Sequence, residues 1–487
     1  MRVNLGLSVA TGLLLVLLFP RWDFVWLAPV ALAPLVVACA RESNWKRRFV
    51  NGWASGTLFW FLVCTWIQFV LEVHGGMGRW GGWGAFTLFA LLKGLHTAVF
   101  AALAGVLLRS RWAIALVPAL WTGIEYAHGS LGLAWIGLGF AWLHLGNAGI
   151  DLPLAMRLAP LLGVYGLSFV FAMLGCGVAL LTVGRPWRDL APLAVLPLAL
   201  LLPAPPALAA GSESVQVVQP NVDTRSAPTP DSFAALEQRL EQLSLREKAP
   251  LIVWPEVPFG FYPEQERFAG YLGGIARQAQ ASFLMGGVAF SPGGNPLNSA
   301  FLFDASGAAL ERYDKIRLVP FGEYIPPAFG WVNRITGEAG DFEPGSRVVA
   351  MPVNGHLLGA FICYESAFPD LVRAFTRGGA HMLVNLSNDG YFGDSAAREQ
   401  HLALVRMRAA ENRRWILRAT NDGITAMIDP AGRITEMLSS FVQTAAPMKF
   451  SYSDERTPYV LYGDWFAWAC LGIALASCAV LRARRRP

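Results

Sequence analysis

The sequence is short of charge. Only 15% of its 487 residues are Asp, Glu, Lys or Arg, whereas 54% are hydrophobic. Soluble domains usually carry about 25% charged residues, so this shortage argues against an ordinary soluble protein and indicates a membrane protein. The net charge of +5 gives no ground for a nucleic-acid partner. The positions of the positive residues along the chain are more informative than their number, because they indicate which loops are cytoplasmic.

Cysteine is scarce in the polar part of the sequence. Cys363 is the single cysteine there, because the other five lie in apolar segments: Cys39, Cys64, Cys176, Cys470 and Cys478. The polar region therefore cannot form an internal disulfide, even in an oxidising compartment. The histidines show no metal-ligand spacing either. We predict no metal site and no cofactor.

Long apolar segments dominate residues 1–210 and return near the C-terminus. A membrane span needs about 20 mostly apolar residues, and eight segments approach this length. Arg2 precedes the first of them, but no small-residue cleavage site follows, so we interpret it as a retained helix. The predicted spans lie near Leu5–Phe19, Phe24–Ala40, Gly52–Val73, Gly84–Leu108, Trp112–Tyr126, Leu158–Val183, Leu190–Ala209 and Trp465–Leu481.

Basic residues cluster after every second predicted span. The clusters are Arg41, Lys46, Arg47 and Arg48; Arg109 and Arg111; Arg185 and Arg188; and Arg482, Arg484, Arg485 and Arg486. Because cytoplasmic loops carry the excess of Lys and Arg, the N-terminus is predicted to be cytoplasmic. The polar region between spans seven and eight then lies on the outer, periplasmic face of a bacterial inner membrane.

A segment rich in glycine and aromatic residues, 128–147, lies between spans five and six. We interpret it as an arm on the outer face, with Trp135 and Trp142 at the level of the lipid headgroups. The alternative is a ninth, distorted helix. We favour the arm because a ninth span would break the alternation of charged loops.

The polar region reads as a layered α/β domain. Short apolar runs such as "VQVVQPN", "LIVWPE", "FLMGGVAF" and "HMLVNLS" are typical of buried strands. Helical patterns alternate with them, including one predicted to begin at Asp231 as N-cap. This alternation predicts buried sheets covered by helices. The predicted division is a membrane domain at 1–210, a catalytic domain at 211–458, and an eighth span with a basic cytoplasmic tail at 459–487.

Three strand ends of the polar region each deliver one reactive group. "LIVWPE" ends at Glu256, "YDKIRLVPFGEY" offers Lys315, and "GAFICYE" offers Cys363. A thiol needs a base or a nearby cation to react at neutral pH, and an ammonium also stabilises an oxyanion. The set therefore suits acyl transfer through a thiol. The structural alternatives are a buried apolar cysteine and a Glu–Lys ion pair.

Several motifs in this order give the chain a wider resemblance. "VWPE", "YDKIRLVPFGEY", "ICYES", "NLSNDGYFG" and "QHLALVRMRAAENRRWILRATNDGITAMIDPAG" resemble the nitrilase superfamily. Together with the flanking apolar spans they are most similar to the apolipoprotein N-acyltransferases. The resemblance extends over essentially the whole chain.

This resemblance implies an αββα nitrilase-like sandwich joined to the membrane helices. It also implies a reaction in which a fatty acyl chain passes from a phospholipid, through a cysteine thioester, to a protein. The acceptor would be the α-amino group of the N-terminal S-diacylglyceryl-cysteine of an apolipoprotein, the last step of lipoprotein maturation. The implied partners are the phospholipid donor, the modified apolipoprotein and the bilayer.

The resemblance also implies roles for single residues. Glu256 matches the general base, Lys315 the oxyanion-stabilising lysine and Cys363 the nucleophile. The supporting residues that it implies are Glu323, Tyr364 and Glu365. The chain departs from the family in one place, because relatives often have a tryptophan shortly after the position of Asn221 and this sequence has none.

Two further segments are candidates for the border of the site. Aromatic and aliphatic residues in a proline-rich loop, Phe321, Tyr324, Ile325, Phe329, Trp331 and Val332, predict a lid that dips among lipid headgroups. The alternative is packing on the domain's own core. Asn388 and Tyr391 in "SNDGYFG" either border the pocket or belong to a plain structural turn.

Two other functions compete with acyl transfer to an amine. In a membrane-tethered nitrilase or amidase, water would take the acyl group, and the triad alone does not separate the two reactions. Eight spans and aromatic loops beside the site favour a lipid substrate. A transporter or scaffold would show paired intramembrane charges or broken helices in symmetric halves, and the sequence shows neither.

Overall fold

The computed structural model describes residues 2–130, 140–208, 211–223, 229–256, 261–325 and 342–483. The chain divides into two compact units. Unit 1 comprises Met1–Val73, Met77–Pro205 and Tyr462–Pro487, and unit 2 comprises His74–Gly76 and Pro206–Leu461.

Unit 1 is helical. Its α-helices are α1 (Arg2–Leu17), α2 (Ala33–Arg41), α3 (Trp45–Val63), α4 (Trp66–Val73), α5 (Gly78–Leu107), α6 (Ala113–Gly129), α7 (Ala159–Thr182) and, after unit 2, α13 (Trp465–Ala483). Short 3₁₀ helices occupy Val25–Leu27, Leu145–Gly149 and Ala155–Arg157, and a longer one occupies Trp187–Leu201.

Three helices among the described residues are long and apolar enough to cross a membrane: α5, α7 and α13. The α3–α4 pair makes a fourth candidate if it is counted as one span bent by 61°. The eight predicted spans are therefore not confirmed as eight continuous membrane-length helices. Each predicted segment does carry helical structure, and α1 is a shorter apolar helix.

Prolines explain where the predicted helices are interrupted. The second predicted span, Phe24–Ala40, contains Pro29 and Pro34 and forms a 3₁₀ turn followed by the nine-residue α2. The seventh, Leu190–Ala209, is a 3₁₀ helix over Trp187–Leu201 with Pro192 and Pro197 inside it. Because proline lacks the N–H that an α-helix interior requires, a continuous α-helix at these places was a wrong expectation.

The predicted arm at 128–147 is described only in part, because residues 131–139 and with them Trp135 lie outside the described residues. Trp142 is 2% exposed and packs against Trp66 within unit 1, with ring centroids 5.6 Å apart. Its large apolar ring is thus buried in the helical packing of unit 1, and its place at the level of the lipid headgroups stays a prediction.

Small residues allow the helices of unit 1 to approach closely. A Cβ atom at Gly94 of α5 would lie 2.7 Å from the Thr57 backbone nitrogen of α3. A Cβ atom at Gly123 of α6 would likewise lie 2.7 Å from Leu471 Cα of α13. Such contacts are typical of helix pairs in membranes, where small residues let backbones meet.

Unit 2 contains two six-stranded sheets. The strands are β1 (Glu213–Gln219), β2 (Leu251–Val253), β3 (Ser282–Phe290), β4 (Pro296–Phe303), β5 (Ala309–Asp314), β6 (Ala350–Val353), β7 (His356–Ile362), β8 (Met382–Ser387), β9 (Ile416–Thr420), β10 (Ala426–Ile428), β11 (Ile434–Met437) and β12 (Thr444–Phe450). The first sheet has the order β12-β1-β2-β3-β4-β5 and the second the order β11-β10-β9-β8-β7-β6.

Helices cover both sheets and the sheets pack on each other, which gives four layers. Helices α8 (Pro230–Ser244) and α9 (Glu266–Ala279) lie on the first sheet, and α10 (Pro369–Arg377) and α11 (Ala397–Asn412) on the second. Strand β1 contacts β9 and β4 contacts β7 between the sheets. The predicted αββα sandwich is confirmed. The start of α8 differs slightly, since Thr229 rather than Asp231 caps it and accepts the Ser232 N–H.

Strand directions bring several chain segments to one edge of each sheet. In the first sheet β1, β2 and β3 are parallel, β4 is antiparallel to β3, and β5 is antiparallel to β4. The ends of β2 and β5 and the start of β4 therefore share an edge. In the second sheet β7, β8 and β9 are parallel, so their C-terminal ends also lie together. Residues just beyond these ends form the candidate site.

Candidate active site

The Lys315 side chain is the centre of the site. Lys315 follows β5 directly, and its side chain is only 1% exposed. Its Nζ donates to Glu256 Oε1 at 3.1 Å and to Glu323 Oε1 at 2.8 Å. Burial alone would lower the pKa of Lys315, but the charges of Glu256 and Glu323 outweigh it and raise that pKa well above its usual value. The ammonium form is therefore strongly favoured.

Glu256 comes shortly after β2 and is 7% exposed. Its Oε1 also accepts a hydrogen bond from Asn298 Nδ2 at 2.8 Å, while its Oε2 accepts the Asn388 backbone N–H at 3.0 Å. Asn388 follows β8 of the second sheet. The Glu256 carboxyl group is thus held between the two sheets, with both oxygens fixed in direction.

Asn298, near the start of β4, joins the two carboxyl groups. Its Nδ2 donates to Glu256 and, at 2.7 Å, to Glu323 Oε1. Its backbone oxygen accepts the Lys315 N–H at 2.8 Å. Carboxylate oxygens only accept hydrogen bonds, so the end of the Asn298 amide that faces them must be its NH₂ group. Asn298 therefore positions all three charged groups at once.

Asn298 was not among the residues predicted from the sequence. The available signal was a polar residue inside the apolar run "LNSAFLF" of a buried strand. Buried polar groups need partners, and such a residue in a core strand near candidate charges points to a hydrogen-bonding role. The partners themselves lie 42 and 25 residues away along the chain, which no local pattern reveals.

Cys363 occupies a sharp turn between β7 and α10. Strand β7 ends at Ile362, and a 3₁₀ turn over Cys363–Ala367 follows. Cys363 has a φ angle of 49°, in the left-handed region that residues with a side chain seldom adopt. Such strain is typical of functional turns, where it must be held by the surrounding structure. The thiol is thereby presented at the edge where the charged groups meet.

The charges around the thiol act on its ionisation. Burial, followed by the charge of Glu256, raises the pKa of the Cys363 thiol well above its usual value, and Lys315 opposes this in part. At neutral pH the resting group is accordingly a thiol rather than a thiolate. Attack on a substrate then requires that a neighbouring base removes the proton as the new bond forms.

Glu365 fastens the turn that carries Cys363. Its Oε2 accepts the Ile362 N–H at 2.7 Å, and its Oε1 accepts the Tyr313 hydroxyl at 2.7 Å and the Ile316 N–H at 2.7 Å. The fully buried carboxyl group therefore ties the residue before the cysteine to the residue after Lys315. Glu365 connects the two sheets behind the site.

The remaining predicted residues lie around this centre. Tyr364 is 7% exposed and packs edge-on against Phe368, with ring centroids 5.1 Å apart. Asn388 contributes its backbone N–H to Glu256, as described above. Burial of the Tyr391 hydroxyl, followed by the charge of Glu256, raises the pKa of Tyr391 to about 12, although the side chain as a whole is 47% exposed. Tyr391 therefore has its hydroxyl end near the site.

The described residues hold no group of three His, Cys, Asp or Glu side chains that could bind a metal ion.

Of the predicted lid, Phe321, Tyr324 and Ile325 are described, and the Phe321 N–H donates to the Tyr324 oxygen at 2.7 Å. Phe329, Trp331 and Val332 lie outside the described residues. The lid stays a prediction.

The structure thus brings Glu256, Lys315, Glu323 and the Cys363 turn to one site. The chemistry that such a set supports is nucleophilic attack by sulfur on a carbonyl, with one carboxyl group as base and one ammonium beside the developing oxyanion. The individual catalytic roles stay predictions.

Two sequence profiles match the chain. One, described as carbon-nitrogen hydrolase, matches residues 215–446, and the other, described as apolipoprotein N-acyltransferase N-terminal domain, matches residues 11–177. The chain is 34% identical to a protein named apolipoprotein N-acyltransferase from Geobacter metallireducens, over 99% of this chain and 95% of that protein. A protein of the same name from Nitrosomonas europaea is 31% identical over 93% of this chain and 94% of its own length.

Among solved structures, a mutant of a nitrilase-superfamily amidase from Nesterenkonia matches with a TM-score of 0.39 and 20% identity. The match covers 52% of this chain and 95% of the amidase chain. A second crystal structure of a Nesterenkonia amidase matches with a TM-score of 0.40 and 19% identity.

Asn298→Ala is expected to slow the reaction of Cys363 with iodoacetamide by about tenfold or more, because Glu256 and Glu323 lose their shared donor and the base is displaced. Asn298→Asp is expected to be slower still at pH 7. A third carboxyl group would raise the pKa of the thiol further. Alkylation is followed by mass spectrometry of the Cys363 peptide, which separates it from the other cysteines.

Ser299→Ala is the matched control for Asn298. Ser299 is the next residue of β4, fully buried, and its hydroxyl donates to Asp314 Oδ1 at 2.6 Å, away from Glu256. This variant is expected to keep the wild-type rate of alkylation. Equal rates for Asn298→Ala and wild type would contradict the positioning role of Asn298.

Glu365→Gln is expected to destabilise the catalytic unit by about 2–4 kcal/mol, because the new NH₂ group leaves one buried N–H without an acceptor. Tyr313→Phe removes only one donor and is expected to cost about 1 kcal/mol. Thermal unfolding of the two purified variants measures the difference. A melting temperature for Glu365→Gln equal to that of Tyr313→Phe would show that the carboxylate is not what holds the turn.

Proposed function

The chain belongs to the apolipoprotein N-acyltransferase family, and from this premise we propose how its own residues carry out the reaction. It transfers a fatty acyl chain from a phospholipid to the α-amino group of a diacylglyceryl-modified N-terminal cysteine of an apolipoprotein. The acyl group is carried between the two substrates as a thioester on Cys363.

In the first half-reaction Glu256 takes the proton of the Cys363 thiol while sulfur attacks the ester carbonyl of the phospholipid. The ester oxygen becomes an oxyanion, which Lys315 and backbone N–H groups stabilise. Collapse of the tetrahedral intermediate breaks the bond to the glycerol oxygen. That oxygen takes the proton from Glu256, and a lysophospholipid leaves the thioester behind.

In the second half-reaction the neutral α-amine of the lipoprotein attacks the thioester carbonyl. The same ammonium faces the new oxyanion, and Glu256 takes the proton that the amine loses. When the carbon–sulfur bond breaks, the thiolate recovers that proton and the amide product leaves. Two successive displacements on one nucleophile predict ping-pong kinetics.

The observation that carries this proposal is that the Lys315 ammonium bonds to Glu256 and Glu323 beside the strained turn that presents Cys363. A thiol that stays protonated at rest reacts only slowly with small water-borne electrophiles such as iodoacetamide. It becomes a stronger nucleophile when a substrate carbonyl lies against Glu256 and Lys315. Glu323, Tyr364 and Glu365 support this arrangement, and Asn388 and Tyr391 border it.

The apolar helices of unit 1 support a lipid donor. We propose that unit 1 is the membrane domain, with the eight segments near the predicted positions crossing or entering the bilayer of a bacterial inner membrane. The 15-residue 3₁₀ helix Trp187–Leu201 would be about 30 Å long, which suits the hydrocarbon thickness. The basic clusters after alternate segments favour a cytoplasmic N-terminus and a periplasmic catalytic domain.

The thioester has a direct test. Purified protein incubated with vesicles of phosphatidylethanolamine alone is expected to gain one acyl group on Cys363, detected by mass spectrometry of the intact protein and its peptides. Glu256→Gln is expected to slow adduct formation by about 10²–10⁴-fold, the usual contribution of a positioned base. Lys315→Met is expected to slow it by about 10²–10³-fold, as for other oxyanion donors.

Cys470→Ala is the matched control, because Cys470 lies on α13 of unit 1 and is 3% exposed. It is expected to form the adduct at the wild-type rate, whereas Cys363→Ala is expected to form none. An adduct that persists in Cys363→Ala would overturn the proposed scheme.

A further inference from the structure

Three fully buried polar residues lie behind the turn that carries Cys363, and the mechanism above does not use them. His401 belongs to α11, Asp389 follows β8, and Arg418 belongs to β9; each is 0% exposed. Arg418 Nη2 donates to both oxygens of Asp389, at 2.8 and 2.6 Å. His401 Nδ1 lies 3.2 Å from Asp389 Oδ1 and 3.2 Å from Arg418 Nη2.

The other side of the His401 ring reaches the nucleophile. His401 Nε2 lies 3.0 Å from the backbone oxygen of Cys363. A carbonyl oxygen only accepts hydrogen bonds, so this contact assigns a proton to Nε2. Nδ1 can then accept a hydrogen bond from Arg418. The imidazole thus donates to Cys363 while Arg418, which Asp389 holds in place, donates to the ring from behind.

Burial and the charge of Arg418 determine the charge states of Asp389 and His401. Burial would raise the pKa of Asp389, but Arg418 outweighs it and holds that pKa well below its usual value. Burial, followed by the charge of Arg418, lowers the pKa of His401. These directions favour an Asp389–Arg418 ion pair and a neutral imidazole, and a proton on Nε2 serves the contact to Cys363 whether or not Nδ1 is protonated.

The Cys363 backbone needs such support. A residue with a side chain in the left-handed region costs about 1–2 kcal/mol relative to a right-handed one. Glu365 fixes the chain one residue before the cysteine, because its carboxylate accepts the Ile362 N–H, which belongs to the Phe361–Ile362 peptide, at 2.7 Å. His401 fixes the peptide after the cysteine through the Cys363 oxygen. His401 therefore holds the peptide that directly follows the Cys363 Cα atom, and Glu365 holds the chain one peptide further back on the other side.

We propose that His401 is a positioning residue for acyl transfer: its Nε2–H bond to the Cys363 oxygen, braced by Asp389 and Arg418, holds the nucleophile in its left-handed conformation. The sulfur then stays aligned with Glu256 and Lys315. The proposal rests on the proposed thioester function of Cys363. His401, on helix α11, would then affect the rate of acyl transfer by positioning Cys363 and not by contacting the substrate.

A purely structural role would give a different result. If His401 only stabilised the fold, its replacement would lower the amount of active protein and leave the rate constant of each folded molecule unchanged. If His401 positions the nucleophile, that rate constant falls, because a displacement of about 1 Å at the reacting atom can cost about 100-fold. A first-order rate constant separates the two, since it does not depend on the active fraction.

Two variants that differ by one methylene group make the comparison. The amide of His401→Asn overlaps the Nδ1 side of the ring and stays beside Asp389 and Arg418, but it does not reach the Cys363 oxygen. The longer amide of His401→Gln places an N–H donor where Nε2 was. His401→Met fills the volume without any donor and serves if the Asn variant does not fold.

The measurement is the first-order rate of acyl adduct formation on Cys363 in full-length protein mixed with phosphatidylethanolamine vesicles, with the donor concentration varied. His401→Asn is expected to lower the saturating rate by about 100-fold with the half-saturating donor concentration little changed. His401→Gln is expected to stay within about tenfold of wild type, the loss expected for one weakened hydrogen bond.

Thr425→Val is the control for loss of a buried hydrogen bond in the same sheet. Thr425 Oγ1 accepts the Thr420 N–H at 3.1 Å and does not bond to Cys363. It is expected to lower the melting temperature and keep the wild-type rate constant.

Two results would overturn the proposal. The first is a wild-type rate constant in folded His401→Asn or His401→Met. The second is a folded His401→Gln whose rate constant is as low as that of those two variants. Absence of an adduct in wild type would instead contradict the thioester function itself.

Discussion

The site depends on one buried cation. Removing the Lys315 ammonium from water is costly, and a single buried ion pair often fails to repay that cost. Here two carboxyl groups, Glu256 and Glu323, face the ammonium at hydrogen-bonding distance. Each carboxyl group then needs further donors, which Asn298 supplies to both. These four side chains, the ammonium, the two carboxyl groups and the amide, are therefore arranged so that one positive charge can be buried away from water.

The same charges affect the ionisation of Cys363, and this explains why the position of its thiol matters. With two carboxyl groups against one ammonium, the surroundings of Cys363 disfavour a free thiolate. Reactivity must then come from geometry, with base, sulfur and oxyanion partner aligned when the substrate is present. A strained turn provides that alignment if its neighbours prevent relaxation. Glu365 accepts the Ile362 N–H at the start of the turn, and His401 of α11 donates to the Cys363 oxygen within it.

The sequence predicts much of unit 2 because its signals are local. Apolar runs of strand length and helical spacing mark most of the alternating elements, and Glu256, Lys315 and Cys363 each follow such a run. Asn298 and His401 could not be assigned in this way. Their hydrogen-bond partners Glu256, Glu323 and Cys363 lie 25 to 42 residues away along the chain and come close only in the folded domain. In unit 1 the hydropathy located the apolar segments, but prolines at 192 and 197 decided their helical type.

In the proposed reaction the acyl group on Cys363 is an intermediate that passes to an amine. The most direct measurement is a chase: acylated protein, freed of phospholipid, is mixed with a diacylglyceryl-cysteine peptide, and protein and peptide are weighed by mass spectrometry over time. The acyl group is expected to leave Cys363 and to appear on the peptide's α-amino group in equal amount and at the same rate. Loss of the acyl group as free fatty acid, with the peptide unchanged, would contradict it.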